Sequence, residues 1–62
     1  MDRESFLSMD PNIILSIVNM KLRDFYSNLS VLCDDLGVTE EELKNKLNKI
    51  GYKYIKDENQ FK

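Results

Sequence analysis

The sequence predicts a mainly α fold: a compact three-helix domain, helix-turn-helix-like, closed by a short C-terminal β-hairpin or wing. Three observations predict it. Asp10-Pro11 opens a helical run with no breaker before Tyr26. Leu32–Leu47 places a glycine, Gly37, between two amphipathic stretches, the second opened by the T-x-x-E signature of Thr39 and Glu42. After Gly51 the apolar period falls from helical to strand-like.

In the first helix, Asp10 suits the N-cap, because its carboxylate can accept from free first-turn amides. Pro11 suits the first helical position, where a missing N–H costs nothing. At about 100° per residue, Ile14, Leu15, Val18, Leu22, Phe25 and Tyr26 form one broad apolar face. Asn12, Ser16, Asn19 and Arg23 gather opposite. A second, narrower apolar stripe remains: Ile13, Ile17 and Met20. A helix in so small a domain needs two apolar faces only if something covers the second. The candidates are Phe6-Leu7, Phe61 or another copy of the chain, and the reading favours the copy, since Phe6 and Leu7 sit in a polar leader.

Ser27-Asn28 ends the first helix and caps the second. Leu29, Leu32, Cys33 and Leu36 give its i, i+3, i+4, i+7 spacing, with Asp34 and Asp35 outward. Gly37 is the left-handed residue expected after a helix, and Val38 plugs the corner. In the third helix Glu40 and Glu41 complement the N-terminal dipole and Lys44, Lys46 and Lys49 the C-terminal end. Leu43, Leu47 and Ile50 form its buried stripe. Tyr52 and Tyr54 then alternate with Lys53, Asp57–Asn59 supply a turn, and Gln60-Phe61 return as a second strand. Two strands alone are weak, so Phe61 or a tyrosine must dock on the helices. Residues 1–9 read as a leader and residues 10–62 as the single domain.

Composition bounds the function. Sixty-two residues, 42% apolar and 32% charged, make one globular domain, burying only about 60% of its unfolded surface. The net charge of −2 runs against the basic excess of nucleic-acid modules. One cysteine, no signal peptide and no run of roughly 20 apolar residues point to a reducing cytoplasm and no membrane span. With no histidine and one cysteine, zinc lacks soft ligands. The acidic residues at 34–35 and 40–42 lack the alternating spacing of a calcium loop. Cys33 has no histidine to activate it and sits on an apolar face, where burial makes a thiol inert. No cofactor, metal or catalytic residue is expected, and nothing supplies a base and a nucleophile together.

Three runs carry a family resemblance: LSIVNMKLRD (Leu15–Asp24), SNLSVLC (Ser27–Cys33) and IGYKYIKDENQF (Ile50–Phe61). Over Met9–Phe61 the chain resembles a small bacterial family known only as domain of unknown function forty-two fifty. The NMKLRD run and the closing NQF are its most specific parts. The resemblance implies a stand-alone small bacterial protein and brings no activity, cofactor or catalytic residue. Leu32–Leu47 is also similar to the general helix-turn-helix pattern. Cys33 takes its small-residue slot, Gly37 the turn and Leu43 and Leu47 the core, while Lys46 departs from it.

Two functions stay open. The first is a non-enzymatic interaction module acting through protein contacts, with self-association to a homodimer, over Ile13, Ile17, Met20, Asn19 and Arg23. The alternative is a DNA-binding regulator using the third helix and wing, through Thr39, Lys44, Asn45, Asn48 and Lys53. Glu40 and Glu41 lie on that face and would meet phosphates, although a glutamate can accept from cytosine N4. Tyr52, Tyr54 and Phe61 are stacking candidates for single strands, or simply close the core.

Overall fold

A computed structural model describes residues 3–62. Four helices and one hairpin follow in order: α1 (Arg3–Leu7), α2 (Pro11–Asp24), α3 (Leu29–Leu36), α4 (Glu40–Asn48), β1 (Tyr54–Ile55) and β2 (Gln60–Phe61). The mainly α expectation with a C-terminal hairpin is borne out. The added helix is α1, in the stretch read as a leader. It forms because Phe6 has somewhere to go: its ring is 1% exposed and belongs to the core. Met1 and Asp2, the start of that leader, lie outside the described residues.

The local signals act as their chemistry requires. Asp10 accepts from the Asn12 amide at 2.8 Å, and Asn28 accepts from the Val31 amide at 2.9 Å. Thr39 and Glu42 form a reciprocal capping box, each side chain accepting from the other's backbone amide at 3.0 Å. Gly37 follows α3 at φ 75°, and Gly51 follows α4 at φ 83°, both in the region where a side chain is strained. In the hairpin Tyr54 stands opposite Phe61 and Ile55 opposite Gln60. A further pair of backbone bonds joins Lys53 and Lys62.

The core is one cluster. Ile14, Val18 and Leu22 of α2 meet Leu29, Leu32 and Cys33 of α3, Leu43 and Leu47 of α4, and the flanking Phe6, Val38 and Phe61. Leu15, Tyr26, Leu36 and Ile50, expected on buried faces, reach it only as half-buried edges. Cys33 is buried, and desolvation pushes its thiol up to about 11, leaving it protonated and inert at neutral pH.

Phe25 is a correction. Periodicity put it on the apolar face, yet it is 70% exposed. The helix stops one residue earlier, at Asp24, and Phe25 caps it with φ −126°. The Phe25 and Tyr26 amides both donate to the Lys21 carbonyl. That turn swings the Phe25 ring off the core, under the Lys21 ammonium at 5.9 Å.

The hairpin is held by two asparagines. Strand pairing leaves the Phe61 N–H and C=O unused by β1, because Tyr54 and Phe61 face each other between the bonded pairs Lys53–Lys62 and Ile55–Gln60. Asn19 of α2 takes both: its Oδ1 accepts from the Phe61 amide at 2.8 Å and its Nδ2 donates to the Phe61 carbonyl at 3.0 Å. One carboxamide thus stands where a third strand would. Asn59, in the turn at φ 53°, donates through Nδ2 to the Leu22 and Tyr26 carbonyls at 3.0 and 3.1 Å. It satisfies carbonyls that the end of α2 leaves without helical partners. Its Oδ1 accepts from the Tyr54 hydroxyl at 2.7 Å.

Candidate functional site

Two surfaces are candidates, and they lie on different elements. The first is the outer stripe of α2. Ile13 is 52% exposed and Met20 38%, while Ile17 between them is half-buried against the core. Phe6 and Phe61 are both core residues, so neither lifts Ile13 or Met20 out of solvent. Beside the stripe Arg23 binds Asp24 through two bonds of 3.0 Å. The Arg23 hydrogen bond holds the Asp24 carboxyl below its ordinary range. Both side chains are well exposed, so the pair adds little stability.

Asn19 leaves this surface. Periodicity places it in the polar, solvent-facing group with Arg23, but it is half-buried and fully engaged with Phe61. Its role is structural. Of the five residues read as an interaction surface, Ile13, Ile17, Met20 and Arg23 remain together on the outer side of α2.

The second surface is a groove where α3, α4 and the hairpin meet. Asn28, Leu29 and Ser30 form one wall, Glu40 and Lys44 another, and Tyr54 with Lys56 the third, enclosing about 480 Å³. A smaller depression of about 190 Å³ shares Lys44 and Tyr54 with it and adds Asn48 and Lys53. Tyr54 is held in place twice: its ring packs at 5.4 Å on Phe61, tilted by 53°, and its hydroxyl binds Asn59. The lone carboxylate, Glu40, faces Lys44 at 3.9 Å.

This divides the residues read as a nucleic-acid face. Lys44, Asn48 and Lys53 come together at the smaller depression. Asn45 is exposed but lines neither depression. The Thr39 hydroxyl is engaged in the capping box with Glu42. Glu40 and Glu41 lead α4 and are both exposed. Duplex DNA should therefore bind at physiological salt no better than about 10⁻⁴ M, the weak end of non-specific binding. An anisotropy titration with random duplex measures this, and selective binding below micromolar would restore the regulator reading.

A basic stripe along the third helix with Lys53 and Lys56 is legible in the sequence, but Asn28 and Ser30 on the groove wall are not. Asn28 was visible only as a cap. The packing of α3 beside the hairpin makes it a wall, and no local signal reports that packing.

No helix of the described residues is long and apolar enough to cross a membrane. The fold and its surfaces define a small, mainly helical domain closed by an asparagine-pinned C-terminal hairpin. The chain belongs to the family described as domain of unknown function (DUF4250), which matches residues 8–61. No curated protein and no solved structure matches it. The two runs most specific to the resemblance, NMKLRD and NQF, are the two that Asn19, Leu22, Asn59 and Phe61 join physically.

Proposed function

We propose that this protein is a non-enzymatic interaction module of a reducing cytoplasm that associates with itself through the outer stripe of α2. The observation that carries the reading is the exposure of Ile13 and Met20 on one line with Ile17. Single exposed apolar residues are ordinary. Three at i, i+4 and i+7 on a chain with a marginal core form a seam, and seams mark protein contacts. A two-fold pairing of α2 with α2 places the same stripe against itself and needs no second surface. The seam is short, so the dimer is weak and concentration-dependent.

Sedimentation at tens of micromolar tests it. The wild type is expected to sediment above monomer mass, with the shift lost on dilution. Ile13→Glu and Met20→Glu are expected to sediment as monomers with unchanged helical circular dichroism. Both positions are exposed, so charge there leaves the core intact. A wild-type monomer at every concentration overturns the reading.

A further inference from the structure

The groove between α3, α4 and the hairpin lies apart from the α2 stripe, and its chemistry is opposite to that of the whole chain. Three lysines and one glutamate line its two depressions, a local charge of +2 in a protein of net charge −2. The glutamate faces Lys44. The Lys53 and Lys56 ammonium groups have no carboxylate partner among the described residues. Lysines free to spread apart in solvent are instead gathered from two elements, α4 and the hairpin, around one concavity.

The two depressions differ. The smaller carries two lysines and no carboxylate, with Lys44, Lys53 and Asn48 around it beside Tyr54. The larger has an apolar floor, where buried Leu29 and the half-buried Tyr54 ring meet. Its edge carries donors and one acceptor: Ser30, the Asn28 amide, Lys56 and Glu40. The Asn28 carboxamide uses only its oxygen in capping α3, which leaves its NH₂ toward solvent. Tyr54 is shared by both depressions, and Phe61 and Asn59 fix its ring.

We propose that this groove binds a nucleotide unit, a phosphate joined to a flat base. The phosphate sits in the smaller depression between Lys44 and Lys53. The base lies against Tyr54 and Leu29 in the larger one, with Glu40 accepting from an exocyclic amine and Lys56, Ser30 or Asn28 donating to ring acceptors. A volume near 480 Å³ matches small-molecule sites, and a base stacks on an aromatic face whatever its identity. A duplex is excluded on this face because its bases are already stacked and its second strand meets Glu40 and Glu41. A free mononucleotide and the terminus of a single strand offer the same chemistry.

Amide-resolved NMR titration of the full chain tests the proposal. The probes are AMP, CMP, adenosine, inorganic phosphate and an oligonucleotide of about ten deoxyadenosines, whose bases carry the same exocyclic amine as AMP. AMP and CMP are expected to shift the amides of residues 28–30, 44, 48 and 53–56 and to leave those of Ile13 and Met20 in place. Adenosine and phosphate, each lacking half the unit, should bind at least about ten-fold more weakly. Lys53→Glu and Lys56→Glu should each weaken AMP about ten-fold, while Lys21→Glu, away from the groove, should not. An oligonucleotide that binds about ten-fold tighter than AMP identifies a single strand as the source, and equal affinity identifies the free nucleotide. Three results would overturn the proposal: no shift by about 10 mM AMP, phosphate alone as effective as AMP, or AMP binding indifferent to both lysine variants.

Discussion

Leu43→Ala is expected to leave the protein largely unfolded. Leu43 is fully buried at the centre of α4, and α4 packs on both α2 and α3. Removing its isobutyl group deletes apolar burial and leaves a void bordered by three helices, none of which can collapse inward without dragging its own caps. Such truncations cost about 2–5 kcal/mol. A domain of this size has about 5 kcal/mol to lose, so the variant falls near or below the folding threshold. Circular dichroism should show a melting midpoint lowered by at least about 10 °C, or no cooperative transition. Leu43→Met keeps the volume and should cost less than about 1.5 kcal/mol. A Leu43→Ala midpoint within a few degrees of wild type would show that the α4 stripe is not central to the core.

Asn19→Ala is expected to undock the hairpin. The Asn19 carboxamide is the partner of both backbone groups of Phe61 that strand pairing leaves over. Phe61 is 2% exposed, so water does not easily replace that partner. Each unsatisfied buried group costs about 1–3 kcal/mol, and two are exposed to that penalty at once. The loss is about 2–6 kcal/mol by the same count. It should be local before it is global: amide protection at Lys53, Phe61 and Lys62 falls first, while α2 and α3 hold. Asn19→Asp separates bonding from volume. Its carboxylate still accepts from the Phe61 amide but opposes the Phe61 carbonyl, so it should be nearly as damaging as alanine. Full protection at Phe61 in Asn19→Ala would show that the clamp contributes nothing.

The two expectations draw on different kinds of information. The role of Leu43 was readable in the chain, since a helix stripe at Leu43 and Leu47 follows from spacing alone. The clamp was not. Asn19 sits mid-helix among polar neighbours, and periodicity places it with Asn12, Ser16 and Arg23 on the wet side. Its only local oddity is that asparagine is a poor helix former. Asn59 carried a similar faint sign, as a residue tolerant of positive φ inside a turn. Neither sign names a partner.

Phe25 and Phe6 depart from periodicity in opposite directions: Phe25 is 70% exposed and Phe6 is 1% exposed. Periodicity extends a helical face as long as apolar residues continue, and Phe25 continued it. The chain turned first, because two successive amides closed on the Lys21 carbonyl. Phe6 had too little patterned sequence around it to be assigned to any face, yet the core held a place for its ring.

What the sequence by itself determined acts within about one helical turn: the Asp10, Asn28 and Thr39 caps, the Gly37 and Gly51 corners, most of the apolar stripes and the change of period after Gly51. The caps pair residues two or three positions apart and the Gly37 corner residues four or five apart, so spacing encodes them. Only the tertiary structure decided that Asn19 meets Phe61 across 42 positions and Asn59 meets Leu22 across 37. It alone left Ile13 and Met20 uncovered and gathered Lys44, Lys53 and Lys56 around Tyr54. A long-range hydrogen bond or a shared groove has no period along the chain. It exists only once packing has brought distant backbone groups and side chains to the same place.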